Sequence, residues 1–63
     1  MDIRVTTIDS QGQFSEPSFQ WAPSFKGLVE QIQLRGVTCI VRQGLIRYTV
    51  GDWTKEIEVI NPD

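Results

Sequence analysis

The chain has 63 residues, a formal net charge of −2, one cysteine and no histidine. This length allows one domain, residues 1–63. The single cysteine excludes an internal disulfide, and the lack of histidine excludes any site built on that residue. The small negative charge provides no general attraction to nucleic acid or to an anionic membrane. No apolar run approaches the roughly 20 residues of a membrane helix, and the N-terminal segment lacks the pattern of a signal peptide. We therefore expect a soluble, cytoplasmic protein with a reduced thiol.

The sequence predicts a strand at residues 2–8 and a turn at residues 9–12. The first segment, DIRVTTI, is rich in β-branched side chains and alternates along its length, which is typical of a strand with one apolar face. The second, DSQG, contains the residue types that open and close tight turns.

Three aromatic side chains, Phe14, Phe19 and Trp21, fall within residues 13–22, which the sequence leaves open between a strand and an extended loop. Pro17 lacks the N–H that a sheet ladder needs, so a strand here would have to lie at a sheet edge. Aromatic side chains supply both the core of a small domain and the anchors of protein interfaces. We expect these three either to pack over the core or to contact a partner.

Residues 24–35, SFKGLVEQIQLR, are the helix candidate of the chain. Their apolar side chains recur at the i, i+3, i+4 and i+7 positions of a single helix face. Ser24 has the side chain of an N-cap, and Gly36 stands where a residue in the left-handed region would end the helix. Gly27 opposes this prediction, because glycine costs about 1 kcal/mol relative to alanine in a helix interior.

The strongest pattern in the chain is a hairpin, VTCIVRQGLIRYTV, at residues 37–50. A two-residue turn at Gln43 and Gly44 pairs Arg42 with Leu45 and brings six side chains onto one sheet face. A slip of one residue would mix the two faces, so the turn and the apolar pattern agree on one register. The six side chains that the hairpin brings onto its apolar face are Val37, Cys39, Val41, Ile46, Tyr48 and Val50.

A second two-residue turn, residues 51–52, leads into a further strand at residues 53–60. This connection sets Arg47 opposite Glu56, a pair of opposite charges that favours the register. Lys55 is the exception, because alternation places it on the apolar face. We expect its stem to pack there while the ammonium group reaches water at the sheet edge.

Together these elements predict an α+β fold with one helix packed on a three- to four-stranded antiparallel sheet, in the order β-(β)-α-β-β-β. The strands would form a meander. The helix would cover one sheet face and water the other, an arrangement that antiparallel sheets allow.

The sequence contains few of the residue combinations that catalysis requires. Cys39 lies on the apolar face without a histidine to activate it, so we expect it to pack in the core. Glu56 and Glu58 share a face at roughly 7 Å, a separation that carboxylate pairs of glycosidases also use. One helix on one sheet provides no deep cleft for them, and a solvated face with ion pairs explains them better. We expect no enzyme, and no catalytic, cofactor-binding or metal-binding residue.

Arg35, Arg42 and Arg47 are the candidates for nucleic-acid contact, because no acidic residue separates them in the sequence. A basic sheet face can bind phosphates, and aromatic side chains on a sheet can stack on bases. Three arginines are few for an affinity that depends on counterion release, and glutamates lie on the same predicted face.

The stretch VEQIQLRGVTCIVRQG, residues 29–44, resembles the helix-strand-turn opening of HicA-type toxins, which are small mRNA interferases with a dsRNA-binding-like fold. Nucleolysis in that family depends on a histidine just after the turn, where this chain has Leu45 and Ile46. The resemblance therefore implies a local arrangement of helix, strand and turn, and the catalytic role does not carry over.

The function that we expect is a non-catalytic protein-interaction module, an accessory or inhibitor-type protein such as phages and mobile elements encode. It would dock a larger protein through the aromatic segment or a sheet edge. One alternative is a small nucleic-acid-binding protein with an arginine-bearing sheet face. The other is a structural homo-oligomer or homodimer, because self-association supplies the burial that so short a chain lacks.

Overall fold

The computed structural model describes residues 1–62. In chain order the elements are β1 (Asp2–Ile8), β2 (Ser18–Trp21), α1 (Phe25–Leu34), β3 (Cys39–Arg42), β4 (Leu45–Val50) and β5 (Trp53–Asn61). The strands form one antiparallel sheet in the spatial order β2-β1-β5-β4-β3. The predicted α+β class and the helix are confirmed. The predicted number of three to four strands is wrong, because the sheet has five.

The fifth strand is β2, within the segment that the sequence leaves open between a strand and an extended loop, and it pairs with β1 at one edge of the sheet. Pro17 immediately precedes it, so the missing N–H of the proline falls outside the ladder. The turn between β1 and β2 is closed by Asp9, whose Oδ1 accepts hydrogen bonds from the backbone N–H groups of Gln11 and Gln13, both at 2.9 Å. Gly12 takes a φ of 82° in this turn, where other residues would be strained.

The hairpin of β3 and β4 has the predicted register, with Arg42 opposite Leu45 at the turn. Pairing ends at Cys39, where β3 begins. The predicted pair of Val37 and Val50 therefore lies outside the ladder, because the chain leaves the sheet before it reaches that position.

The sheet is not a simple meander, because β1 lies beside β5 and places β5 between β1 and β4. The ladder of β1 and β5 is regular from the pair Ile8–Thr54 to the pair Ile3–Val59. The register then shifts by one residue, which makes Ile60 the extra residue of a β-bulge.

The helix begins at the predicted cap. Ser24 Oγ accepts a hydrogen bond from the Gly27 N–H at 3.0 Å, and Gly36 takes a φ of 78° just beyond the C-terminal end. A Cβ atom added at Gly27 would lie 2.9 Å from the same Ser24 Oγ. Glycine at this position therefore leaves room for the cap.

We expect Gly27→Ala to change the free energy of unfolding by less than about 0.5 kcal/mol, because the gain in helix propensity and the loss of the cap are each about 1 kcal/mol. In a Ser24→Ala background neither the cap nor the clash remains, so the same substitution should stabilise by about 1 kcal/mol. Urea denaturation of the four proteins measures this difference. Equal effects in the two backgrounds would contradict the steric explanation.

The core lies between α1 and the sheet, with Ile46 of β4 fully buried at its centre. Met1 and Ala22 close one end of the core, a role that the sequence did not indicate. The Met1 nitrogen donates to the Ala22 carbonyl at 2.9 Å, and the Ala22 N–H donates to the Met1 carbonyl at 3.0 Å. The buried cluster consists of Met1, Ile3, Ala22, Ile32, Ile46 and Ile57.

The predicted apolar sheet face is covered only in part. Val41, Val50 and Trp53 lie on the side of α1 but remain exposed. A helix is about 10 Å across, whereas five strands span roughly 20 Å, so one helix cannot shield the whole sheet.

Candidate functional site

The sheet face opposite α1 carries most of the candidate functional side chains, and we call it the uncovered face. Strand alternation and the observed register decide its membership. Arg4 on β1, for example, lies opposite Phe19 on β2 and opposite Glu58 on β5, so these three residues share the face. Its charged and large apolar members are Asp2, Arg4, Phe19, Trp21, Ile40, Arg42, Leu45, Arg47, Glu56, Glu58 and Ile60.

Two aromatic side chains stand together at one end of this face. Phe19 is 69% exposed and Trp21 is 68% exposed, and both line a hollow with Ile60, which is 49% exposed. We call these three residues the aromatic corner. Phe14 is 66% exposed but lies apart from β2, where it forms an isolated bridge with Ile8. The structure therefore brings two of the three predicted aromatic candidates together, and none of the three packs over the core.

The centre of the uncovered face is occupied by paired charges. The Arg4 guanidinium donates a hydrogen bond to Glu58 Oε1, and this contact is also an ion pair. Arg47 lies opposite Glu56 as predicted. Three arginines and three acidic side chains share the face, so its formal charge is zero. The arginines are Arg4, Arg42 and Arg47, and the acidic residues are Asp2, Glu56 and Glu58.

The three predicted nucleic-acid candidates do not form one surface. Arg42 and Arg47 lie on the uncovered face, whereas Arg35 is the C-cap of α1 and lines a groove on the other side of the sheet. Arg4 was missed, because its position on the face depends on pairing with β5, which is distant in sequence.

The residues weighed for catalysis lie on opposite faces of the sheet. Cys39 is half-buried and packs against the core, and Glu56 and Glu58 line a shallow hollow beside Arg4. Within residues 1–62 the acidic side chains and the cysteine form no cluster of three or more that could hold a metal ion. The same residues include no helix with the length and apolar character to span a membrane.

Comparison with protein-family models, curated proteins and solved structures gives no significant match. The fold and the uncovered face define the class of molecule: a small α+β domain with an aromatic corner on a charge-balanced sheet face.

Proposed function

We propose that the chain is a non-catalytic protein-interaction module that docks a protein partner through the aromatic corner. The observation that supports this proposal is the exposure of Phe19 and Trp21, at 69% and 68%, on one face of a hydrogen-bonded strand. Exposed apolar patches that are rimmed by polar groups mark interaction sites on soluble proteins. Tryptophan in particular is enriched among the residues that dominate binding energy.

The position of the corner favours binding. Both aromatic residues belong to β2, which is held by its ladder to β1, so their backbone is ordered before a partner arrives. Phe and Trp each have only two side-chain torsions, so little conformational entropy is lost when their rings are buried. The partner would offer an apolar pocket for the two rings, with polar groups of both signs at its rim.

The charge balance of the uncovered face favours a protein over a nucleic acid. Binding to a phosphate backbone depends on a surplus of cations that release counterions. Here the three arginines face an equal number of acidic side chains, and Arg4 is already paired with Glu58. We expect Arg42→Glu combined with Arg47→Glu to leave partner capture in place.

The test is a pull-down with the tagged chain, with and without nuclease. We expect a protein that is recovered after nuclease treatment by the wild type and lost by Phe19→Ala/Trp21→Ala, because each anchor contributes about 2 kcal/mol or more. Leu34→Ala is the matched control, since Leu34 is 85% exposed but lies on α1. Circular dichroism should be the same for all three proteins.

Three outcomes would overturn the proposal. The first is equal capture by the wild type and the double variant. The second is recovery that disappears with nuclease, which would assign the face to nucleic acid. The third is a melting temperature that rises with protein concentration in the wild type and stays constant in the double variant, which would assign the corner to self-association.

A further inference from the structure

A groove lies between α1 and the sheet, on the side opposite the aromatic corner. Its volume is about 270 Å³, slightly below the roughly 300–1,000 Å³ of pockets that take drug-sized ligands. The floor is apolar and comes from both layers, with Ile3 and Ile57 of the sheet and Leu28 and Ile32 of α1. A ligand in this groove would therefore be small and would have an apolar body.

The rim of the groove is polar and positively charged. Arg35 and Lys55 line it, together with the hydroxyl-bearing Tyr48 and two glutamines, and no acidic side chain does. Within residues 1–62 neither the Arg35 guanidinium nor the Lys55 ammonium has an ion-pair partner. The groove thus concentrates two positive charges in a chain whose net charge is −2.

Lys55 is the unusual member of this rim. It is half-buried in the central strand β5, on the face that α1 covers, with Tyr48 opposite it on β4 and Thr7 opposite it on β1. The expected position of this lysine at a sheet edge is wrong, because β5 is the central strand. A partly buried lysine packs its stem on apolar surface and keeps its charged group at the boundary with water, which here is the mouth of the groove. A bound anion would supply the missing partner.

We propose that this groove binds a small organic anion with an apolar body, of the class of medium-chain carboxylates. The hydrocarbon part covers Val5 and Leu28, the partly exposed apolar side chains of the groove, and the anionic group lies between Lys55 and Arg35. Burial of the apolar part supplies affinity, and the two cations select a negative charge over a neutral polar group. This site is separate from the aromatic corner and does not depend on the proposed partner.

The test is a titration of the whole chain with octanoate and with octanamide, its neutral analogue, followed by backbone amide chemical shifts. Octanoate should give saturable shifts at residues that line the groove, such as Leu28 and Tyr48, and octanamide should bind at least about tenfold more weakly. Lys55→Gln and Arg35→Gln should each weaken octanoate binding about tenfold. Lys55→Arg should retain binding, because it keeps the charge.

The control is Lys26→Gln, since Lys26 is an exposed residue of α1 that does not line the groove. The proposal is overturned if octanamide binds as tightly as octanoate, if Lys26→Gln weakens binding as much as Lys55→Gln, or if the shifts fail to saturate. Shifts centred on Phe19 and Trp21 would also overturn it. If Lys55→Gln does not fold, two measurements still test the proposal. One is the comparison of octanoate with octanamide on the wild type, and the other is octanoate binding by Arg35→Gln, because Arg35 is an exposed residue.

Discussion

Ile46→Ala should destabilise the fold by about 2–5 kcal/mol, the usual cost of truncating a buried isoleucine. Ile46 has no exposed surface, and its neighbours across the strands are Val41 of β3 and Ile57 of β5. Both neighbours belong to strands that are held to β4 by backbone ladders, so they cannot move in to fill the cavity. A total stability of about 0.05–0.15 kcal/mol per residue corresponds to roughly 3–9 kcal/mol for this chain. The variant should therefore lose a large part of its stability and unfold at a much lower urea concentration than the wild type.

The matched control is Ile40→Ala. Ile40 is the same residue type on the adjacent strand, but it lies on the uncovered face and is 55% exposed. We expect this variant to lose less than about 1 kcal/mol, as is usual for surface substitutions. Urea denaturation followed by circular dichroism measures both losses. Similar losses would show that the core does not lie on the side of α1.

Glu56→Pro should abolish folding, although Glu56 is a charged residue outside the core. β5 is the central strand, so each of its N–H groups points towards either β1 or β4. Proline removes one of these donors and its ring crowds the neighbouring strand, which is why proline is almost absent from central strands. We expect a cost no smaller than the roughly 3 kcal/mol of a proline in a helix interior. Circular dichroism should show a largely unfolded chain.

Phe19→Pro is the comparison that tests the strand order. The two hydrogen bonds between Met1 and Ala22 make them a hydrogen-bonded pair. Alternation along the ladder then makes Phe19 and Arg4 a non-hydrogen-bonded pair, with the Phe19 N–H directed away from the sheet. Proline at this position removes no ladder hydrogen bond, so the chain should remain folded. If both proline variants unfold alike, β2 is not at an edge or β5 is not at the centre.

The local parts of this fold could be predicted from the sequence. Short turns join β3 to β4 and β4 to β5, so alternation and turn length together determine the pairs Arg42–Leu45 and Arg47–Glu56. The strand order could not be predicted in this way. No turn connects β1 to β5, and their pairing depends on which sheet edge remains available once the other strands have formed.

In the candidate site, too, the features set by local sequence could be predicted and those set by long-range pairing could not. The positions of Arg42 and Arg47 on the uncovered face follow from the hairpin alone. In the segment SFQW, alternation puts Phe19 and Trp21 on one side of the strand. Two aromatic side chains on one side would ordinarily predict that this side is buried. Their exposure results from the register with β1, which aligns Phe19 with Arg4, and this long-range pairing is not encoded in the spacing of β2 itself.

The central position of β5 also has a consequence for the order in which the molecule assembles. Residues 2–8 pair with residues 54–61, so the ladder at the middle of the sheet closes a loop of most of the chain. Contacts between distant residues slow folding, because the loop entropy is lost before the contacts form. On the ribosome, the hairpin of β1 and β2 emerges first and must wait until β5 has been synthesised before it can dock. Its exposed apolar side chains would then be open to chaperones throughout that interval.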